Sequence, residues 1–143
     1  MCPGDAPLLS RRIELAPTPV ASRLARRLTD EIAAGSASER LGFVMRLVVS
    51  ELVNNAVLHG DSSEPILLEI GVCEEWVRIR VRNSGRPVTL ESLRRARPPE
   101  SGRGLDIVDA LADAWTIDAR PETTTVEVTL RREEHTCAGA TPP

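Results

Sequence analysis

Two runs of alternating residues constrain this chain more than any other feature. From Pro65 to Val72 the apolar residues Ile66, Leu68, Ile70 and Val72 recur at every second position, and from Trp76 to Arg82 so do Val77, Ile79 and Val81. The positions between the latter are Trp76, Arg78, Arg80 and Arg82. A period of two sends alternate side chains to opposite faces of a strand. A tight connection at Glu74-Glu75 joins the runs, so they predict an antiparallel hairpin with one covered face and an outward arginine row. The rest of the chain must supply a layer for the covered face.

Helical periodicity provides that layer. Pro17-Thr18-Pro19 breaks a short strand at 11–16, and Thr18 or Ser22 is available to cap a helix beginning there. Val20, Leu24, Leu28 and Ile32 then recur every four residues, predicting a helix over 20–34 that ends at Gly35-Ser36. A second helix is predicted over 38–58, with Gly60 as its C-terminal cap. A third is predicted over 102–114, then strands at 115–119 and 123–130. The order is strand, helix, helix, two strands, loop, helix, two strands. It predicts an α/β (α+β) fold: a two-layer sandwich of a mostly antiparallel sheet covered on one face by about three helices. With 143 residues the chain fits one domain. We place a flexible arm at 1–9, the domain at 10–131, a mobile loop at 86–101 and a disordered tail at 132–143. The only aromatic residues are Phe43, Trp76 and Trp115, so the core is expected to be aliphatic.

Composition excludes some partners. The formal charge is −3, which gives no electrostatic drive towards nucleic acid or anionic membrane. No apolar run is expected to reach the roughly 20 residues that span a bilayer. The N-terminus lacks the apolar core of a signal peptide. Cys2, Cys73 and Cys137 form neither a CxxC pair nor a zinc spacing, which favours a reducing, cytoplasmic setting, with Cys73 a plain apolar strand residue. The chain has no lysine. Any phosphate contact must therefore come from arginine, backbone N–H groups or a metal.

The second helix carries an unusual stripe. Glu51, Asn55 and His59 fall four apart and stack on one face, with Asn54 beside them. On the helical wheel the stripe is embedded in apolar surface: Val44, Val48 and Leu52 share its sector, and Phe43, Leu47 and Leu58 lie to the other side. Only the neighbourhood of Arg46 is expected to face solvent. Burying an unpaired polar group costs on the order of 1–3 kcal/mol, and a carboxylate more. Two readings fit: an internally satisfied network, or one wall of a pocket where a carboxylate, an amide and an imidazole meet a hydrated metal and a ligand.

Two glycine-bearing loops bear on the choice. NSGRP at 83–87 leaves a core strand, and SGRGL at 101–105 enters a helix. Glycine allows close backbone approach, and free N–H groups at a helix start attract phosphate. Arg86, Arg94, Arg95, Arg97 and Arg103 lie in or between these loops and are the anionic-ligand candidates. A solvated surface loop is the alternative.

Taken in order, ELVNNAVLH at 51–59, VRNSGRP at 81–87 and SGRGL at 101–105 resemble the N, G1 and G2 boxes of the Bergerat-fold (GHKL, histidine-kinase-like) ATP-binding domain. The segment between the last two boxes would be the ATP lid. The run GRGLDIVDALADAW with TTTVEVTL after it is similar to the end of the stand-alone RsbW-like anti-sigma-factor serine kinases, a type abundant in actinobacteria. The resemblance covers roughly residues 10–130.

It implies ATP and Mg²⁺ as cofactors. Asn55 would ligate the metal, and Glu51 would be the general base. Asn54 would be a second polar contact, and His59 would shape the pocket. Asn83 and Gly85 would belong to the adenine side of the site, and Arg86 would be a further cofactor contact. Gly102, Arg103, Gly104 and Leu105 would cradle phosphate, and Thr125 would help hold the base through water. The sequence departs from the family at two positions. Asn83 stands where an Asp usually accepts the adenine amino group, and Pro87 replaces a glycine. A neutral amide is a weaker acceptor than a carboxylate by about 1 kcal/mol.

The resemblance thus implies an anti-sigma-factor serine/threonine kinase that works by partner switching. Its partners would be a sigma factor and an anti-anti-sigma protein whose serine it phosphorylates, and it would be capable of forming a homodimer. The alternative is a regulatory module that binds a sigma factor or antagonist with little or no nucleotide. The catalytic half of a sensor histidine kinase fits less well, because no histidine precedes the stripe.

Overall fold

The structure, a computed structural model, describes residues 6–61, 63–85 and 104–132, with only the backbone of Gly104 and Leu105. Most of the arm, the loop at 86–101 and all but the start of the tail lie outside the described residues. The hairpin forms as the alternation requires. Strands β2 (Ile66–Val72) and β3 (Trp76–Ser84) pair antiparallel, with Leu68 opposite Val81 and Ile70 opposite Ile79. Strands β1 (Leu9–Leu15), β4 (Ala114–Ala119) and β5 (Thr123–Arg131) complete a five-stranded, fully antiparallel sheet in the order β1-β2-β3-β5-β4.

Helices α1 (Ala21–Ser36), α2 (Glu39–His59) and α3 (Gly104–Leu111) form the second layer. The expected two-layer sandwich is the fold observed. Its core is aliphatic: Met45, Val48, Val49 and Val53 of α2 meet Leu68, Ile70, Ile79 and Val128 of the sheet, all without solvent exposure. Val108 brings α3 into the same cluster.

Local signals set the helix ends. Ser38 caps α2, its hydroxyl accepting from Leu41 N at 3.1 Å, and Glu39 lies in the first turn where the helix dipole favours an acid. The start of α1 differs from expectation. Val20 occupies the cap without a side-chain bond, Thr18 Oγ1 accepts only from Val20 N at 3.3 Å, and Ser22 is buried. α1 runs beside α2 so closely that a β-carbon on Gly42 would sit 3.3 Å from that of Ala33.

Three further expectations are corrected. α2 is long and apolar enough, by length and composition, to cross a membrane, although here it is the central core helix. Cys73 is buried and disulfide-bonded rather than a plain apolar residue, and its partner lies outside the described residues. Phe43 and Leu58 are 62% and 65% exposed, so the solvent-facing side of α2 is wider than the surroundings of Arg46. The polar stripe therefore runs along the border between core and exposed surface.

Among the described residues no element covers the outer face of the sheet, where the arginine row lies. Arg80 bridges three strands: Nη2 and Nε donate to Glu127 Oε2 at 2.8 and 3.1 Å, and Nη1 donates to Glu69 Oε1 at 3.4 Å. The hydrogen bond to Glu127 is the main cause that raises the Arg80 pKa above its ordinary value. Arg131 stacks on Trp76 with its guanidinium carbon 5.1 Å from the ring centroid.

Candidate functional site

The site is built on the C-terminal half of α2. Helical spacing places Glu51, Asn55 and His59 in a row with steps of about 6 Å. All three are half-buried, whereas Asn54 is exposed and stands apart from the row. The His59 Nε2 atom is buried. No shell of apolar side chains encloses the row, because the neighbouring face carries exposed Phe43 and Leu58.

Where α2 ends, it meets the end of β3. Gly60 N donates to Ala56 O at 2.9 Å, closing the last turn, and Asp61 N donates to Ser84 O at 2.7 Å. Gly60 has φ −87° and ψ 175°, ordinary extended backbone, so it is not a left-handed cap. Its glycine is required by space instead. A β-carbon there would meet Ala56 O at 2.6 Å and Asn83 Nδ2 at 3.0 Å. Gly85 is different: φ is +138°, and its N–H donates to Glu122 O at 3.0 Å.

Asn83 is buried on the helix-covered face. Its Nδ2 donates to Ser84 O at 3.3 Å, a long bond, and no other hydrogen bond involves its side chain among the described residues. Directly across the β3–β5 pairing stands Thr124, 4% exposed, whose Oγ1 is buried without a hydrogen-bond partner. Buried hydroxyls without partners are rare and call for an explanation.

This register corrects the assignment of Thr125. Thr125 pairs with Arg82 and lines an outer-face groove of about 530 Å³ with Arg12, Glu69, Arg80 and Glu127. It therefore faces away from Asn83 and from α2. The run Thr123-Thr124-Thr125 hides its own parity, but counting back by twos from buried Val128 reaches Val126 and then Thr124. That signal was in the sequence. The role of Gly60 was not, because it depends on where Asn83 lies in space.

α3 begins at Gly104 and packs beside α2, which brings the start of that helix to the same layer as the stripe. Arg86, Gly102 and Arg103 lie outside the described residues. A cavity of about 670 Å³ opens at the end of β3 between Asp61, Glu64, Gly85 and Glu122. Its three carboxylates would repel a triphosphate, so it does not suit the phosphate end of a nucleotide.

Two features suit a nucleotide: a buried orphan hydroxyl at Thr124 and an amide at Asn83 held by one weak bond. Among the described residues, no group of three His, Cys, Asp or Glu gathers to hold a metal. Mg²⁺ does not require such a group, since it is commonly held by one or two side chains together with the phosphates it bridges. The Asn55 amide oxygen, one turn from Glu51, fits that role.

Residues 15–130 match the family model for the histidine kinase-like ATPase domain. The anti-sigma F factor of Bacillus velezensis is 31% identical over 103 residues, covering 64% of this chain and 67% of that protein. The anti-sigma F factor of Clostridium perfringens is 29% identical over 85 residues, 51% of this chain and 59% of that protein. The chain thus spans less than two thirds of the latter. A solved structure of the RsbU and RsbW domains of a Mycobacterium tuberculosis protein superposes with a TM-score of 0.70 at 25% identity, covering 89% of this chain and 33% of that one. The histidine kinase domain of a blue-light-activated kinase from Erythrobacter litoralis shares the fold, with a TM-score of 0.55 at 16% identity over 79% of this chain and 61% of that one. Matching boxes, fold and relatives agree: the chain belongs to the histidine kinase-like ATPase domain family and is RsbW-like within it.

Proposed function

We propose that the protein is an anti-sigma factor of the partner-switching kind, which binds Mg-ATP and phosphorylates a serine of an anti-anti-sigma protein. The observation that carries this reading is the Glu51–Asn55–His59 row, half-buried on a core helix that ends against Asn83. The similarity to anti-sigma F factors supplies the partner class. In the transfer, a bond forms between the serine oxygen and the γ-phosphorus while the bond from that phosphorus to the β–γ bridging oxygen breaks. The serine proton passes to the Glu51 carboxylate, and ADP leaves. Asn55 would help hold Mg²⁺, which would supply charge neutralisation at the phosphates. The setting in this reading is the cytoplasm, where a sigma factor acts; the Cys73 disulfide removes the cysteine argument for it. The partner is protein rather than nucleic acid or membrane. A homodimer is compatible with it, because β1 and β4 are the edge strands of the sheet among the described residues.

A second reading has its own observation. Asn83 presents a neutral amide where the family's carboxylate would stand, which favours a sigma-factor-binding module with weak nucleotide binding. Titration of the full chain with ATP and Mg²⁺ separates the two. Saturable binding below millimolar ATP supports the kinase, and its absence leaves the binding module.

A further inference from the structure

Asn83 and Thr124 form a buried pair whose hydrogen-bonding sense is only weakly held. Asn83 is 9% exposed and Thr124 4%, and they stand opposite each other on β3 and β5. An ionised carboxylate only accepts hydrogen bonds, whereas an amide offers an oxygen acceptor at one end and an N–H donor at the other. A hydroxyl likewise donates or accepts as its proton rotates. The Asn83 amide is tied by a single 3.3 Å bond to Ser84 O, and the Thr124 hydroxyl has no partner. The Thr124 hydroxyl is uncommitted, and the Asn83 amide keeps its donor end on Ser84 O only through that long bond, which a half-turn would give up.

We infer that this pair relaxes discrimination at position 6 of a bound purine, so that the site takes 6-oxopurine as well as 6-aminopurine nucleoside triphosphates. The inference rests on the nucleotide-binding reading above and specifies its substrate class. Adenine presents an amino donor at position 6 and an acceptor at N1. Hypoxanthine and guanine present the reverse, an oxygen acceptor and an N1–H donor. One orientation of the Asn83 amide matches the first edge, and its half-turn about the last side-chain bond matches the second. A carboxylate at the same place would meet the 6-oxo oxygen with a second acceptor, an unpaired and repulsive contact. Sites built to hydrogen-bond a specific group reject the analogue by large factors because buried partners are left unpaired. Replacing the carboxylate by an amide removes that penalty. The Thr124 hydroxyl, directly or through a water, serves either edge.

The test is equilibrium titration of the full chain, with Mg²⁺, against ATP and inosine triphosphate, which differ in the base only at the position 6 edge. The wild-type protein is expected to bind the two within about tenfold of each other. Asn83→Asp is expected to widen the preference for ATP to about a hundredfold or more. Wild-type protein that binds ATP and rejects inosine triphosphate by a hundredfold overturns the inference while leaving the nucleotide-binding reading intact. Binding of neither nucleotide overturns both. Because the wild-type ratio is itself decisive, the inference does not depend on the variant folding. If Asn83→Asp folds and leaves the ratio unchanged, Asn83 is not the determinant.

Discussion

Gly60 and Asn83 are in contact across the junction of α2 and β3, leaving no room for a side chain at position 60. A β-carbon there would approach Asn83 Nδ2 to 3.0 Å and the Ala56 carbonyl oxygen to 2.6 Å. The amide could give way, but the carbonyl is helix backbone and cannot do so cheaply. Gly60→Ala should therefore destabilise the protein by about 1–3 kcal/mol, the usual cost of overpacking. Thermal unfolding should show the midpoint lowered by several degrees, and nucleotide affinity should fall with it as Asn83 is displaced. An unchanged midpoint would mean that the junction yields without strain.

Thr124 and Thr125 are adjacent in sequence and on opposite faces of the sheet, so conservative variants separate their roles. Thr124→Val removes a buried hydroxyl that has no partner in the protein. Stability without nucleotide should hold or rise by up to about 1 kcal/mol, because no hydrogen bond is lost and a desolvation cost is removed. Nucleotide affinity should fall several-fold. Thr125→Val, on the outer groove beside Arg82 and Glu127, should leave nucleotide affinity unchanged. The reverse pattern in a binding titration would restore Thr125 to the site.

The fold was legible because its strands alternate cleanly: Ile66 to Val72 and Val77 to Val81 each declare one buried face, and Ser38 declares the start of α2. The site was legible only in part. Glu51, Asn55 and His59 announce themselves as polar groups in an apolar helix. How far they are buried could not be read, because a helical wheel does not show that Phe43 and Leu58 point to solvent. Thr125 was misassigned because three identical threonines carry no alternation of their own. Gly60 reads as the C-terminal cap of α2 and is that cap, yet its backbone is extended, and part of the requirement for glycine comes from a residue more than twenty positions away. Pairwise steric constraints of that kind depend on tertiary placement, which local pattern does not encode.

Asp61 carries a pH signature. Its Oδ1 accepts from Ser63 N at 2.8 Å and from Ser63 Oγ at 2.7 Å, in the turn between α2 and β2. The backbone bond is the larger cause, and together they lower the Asp61 pKa from its ordinary 3.8. A carboxyl whose folded pKa lies below its unfolded value binds fewer protons when folded. Its contribution is thus fully present above about pH 4 and is lost as pH falls through the lowered value. An NMR titration should place the Asp61 midpoint below 3.8, and Ser63→Ala should move it partway back by removing the hydroxyl bond. A midpoint at or above the ordinary value would show that the turn does not hold in solution.

Glu51 and Asn55 lie one helical turn apart on the same row, and the proposed chemistry gives them different duties. A general base acts on the proton that leaves the attacking hydroxyl, so its removal weakens the transition state far more than the ground state. Glu51→Ala should therefore reduce phosphoryl transfer by about 10²–10⁴-fold. Its affinity for Mg-ATP should stay within a few-fold of wild type. A metal ligand acts earlier, since the phosphates are neutralised in the bound state. Asn55→Ala should weaken binding itself, by about tenfold or more, and should flatten the dependence of affinity on Mg²⁺ concentration. Both variants replace half-buried side chains outside the aliphatic core, so both should fold. Single-turnover transfer with an excess of the serine-bearing partner, measured beside a binding titration, distinguishes the two duties. Normal transfer by Glu51→Ala would remove it as the base, and normal metal dependence in Asn55→Ala would remove it as the ligand.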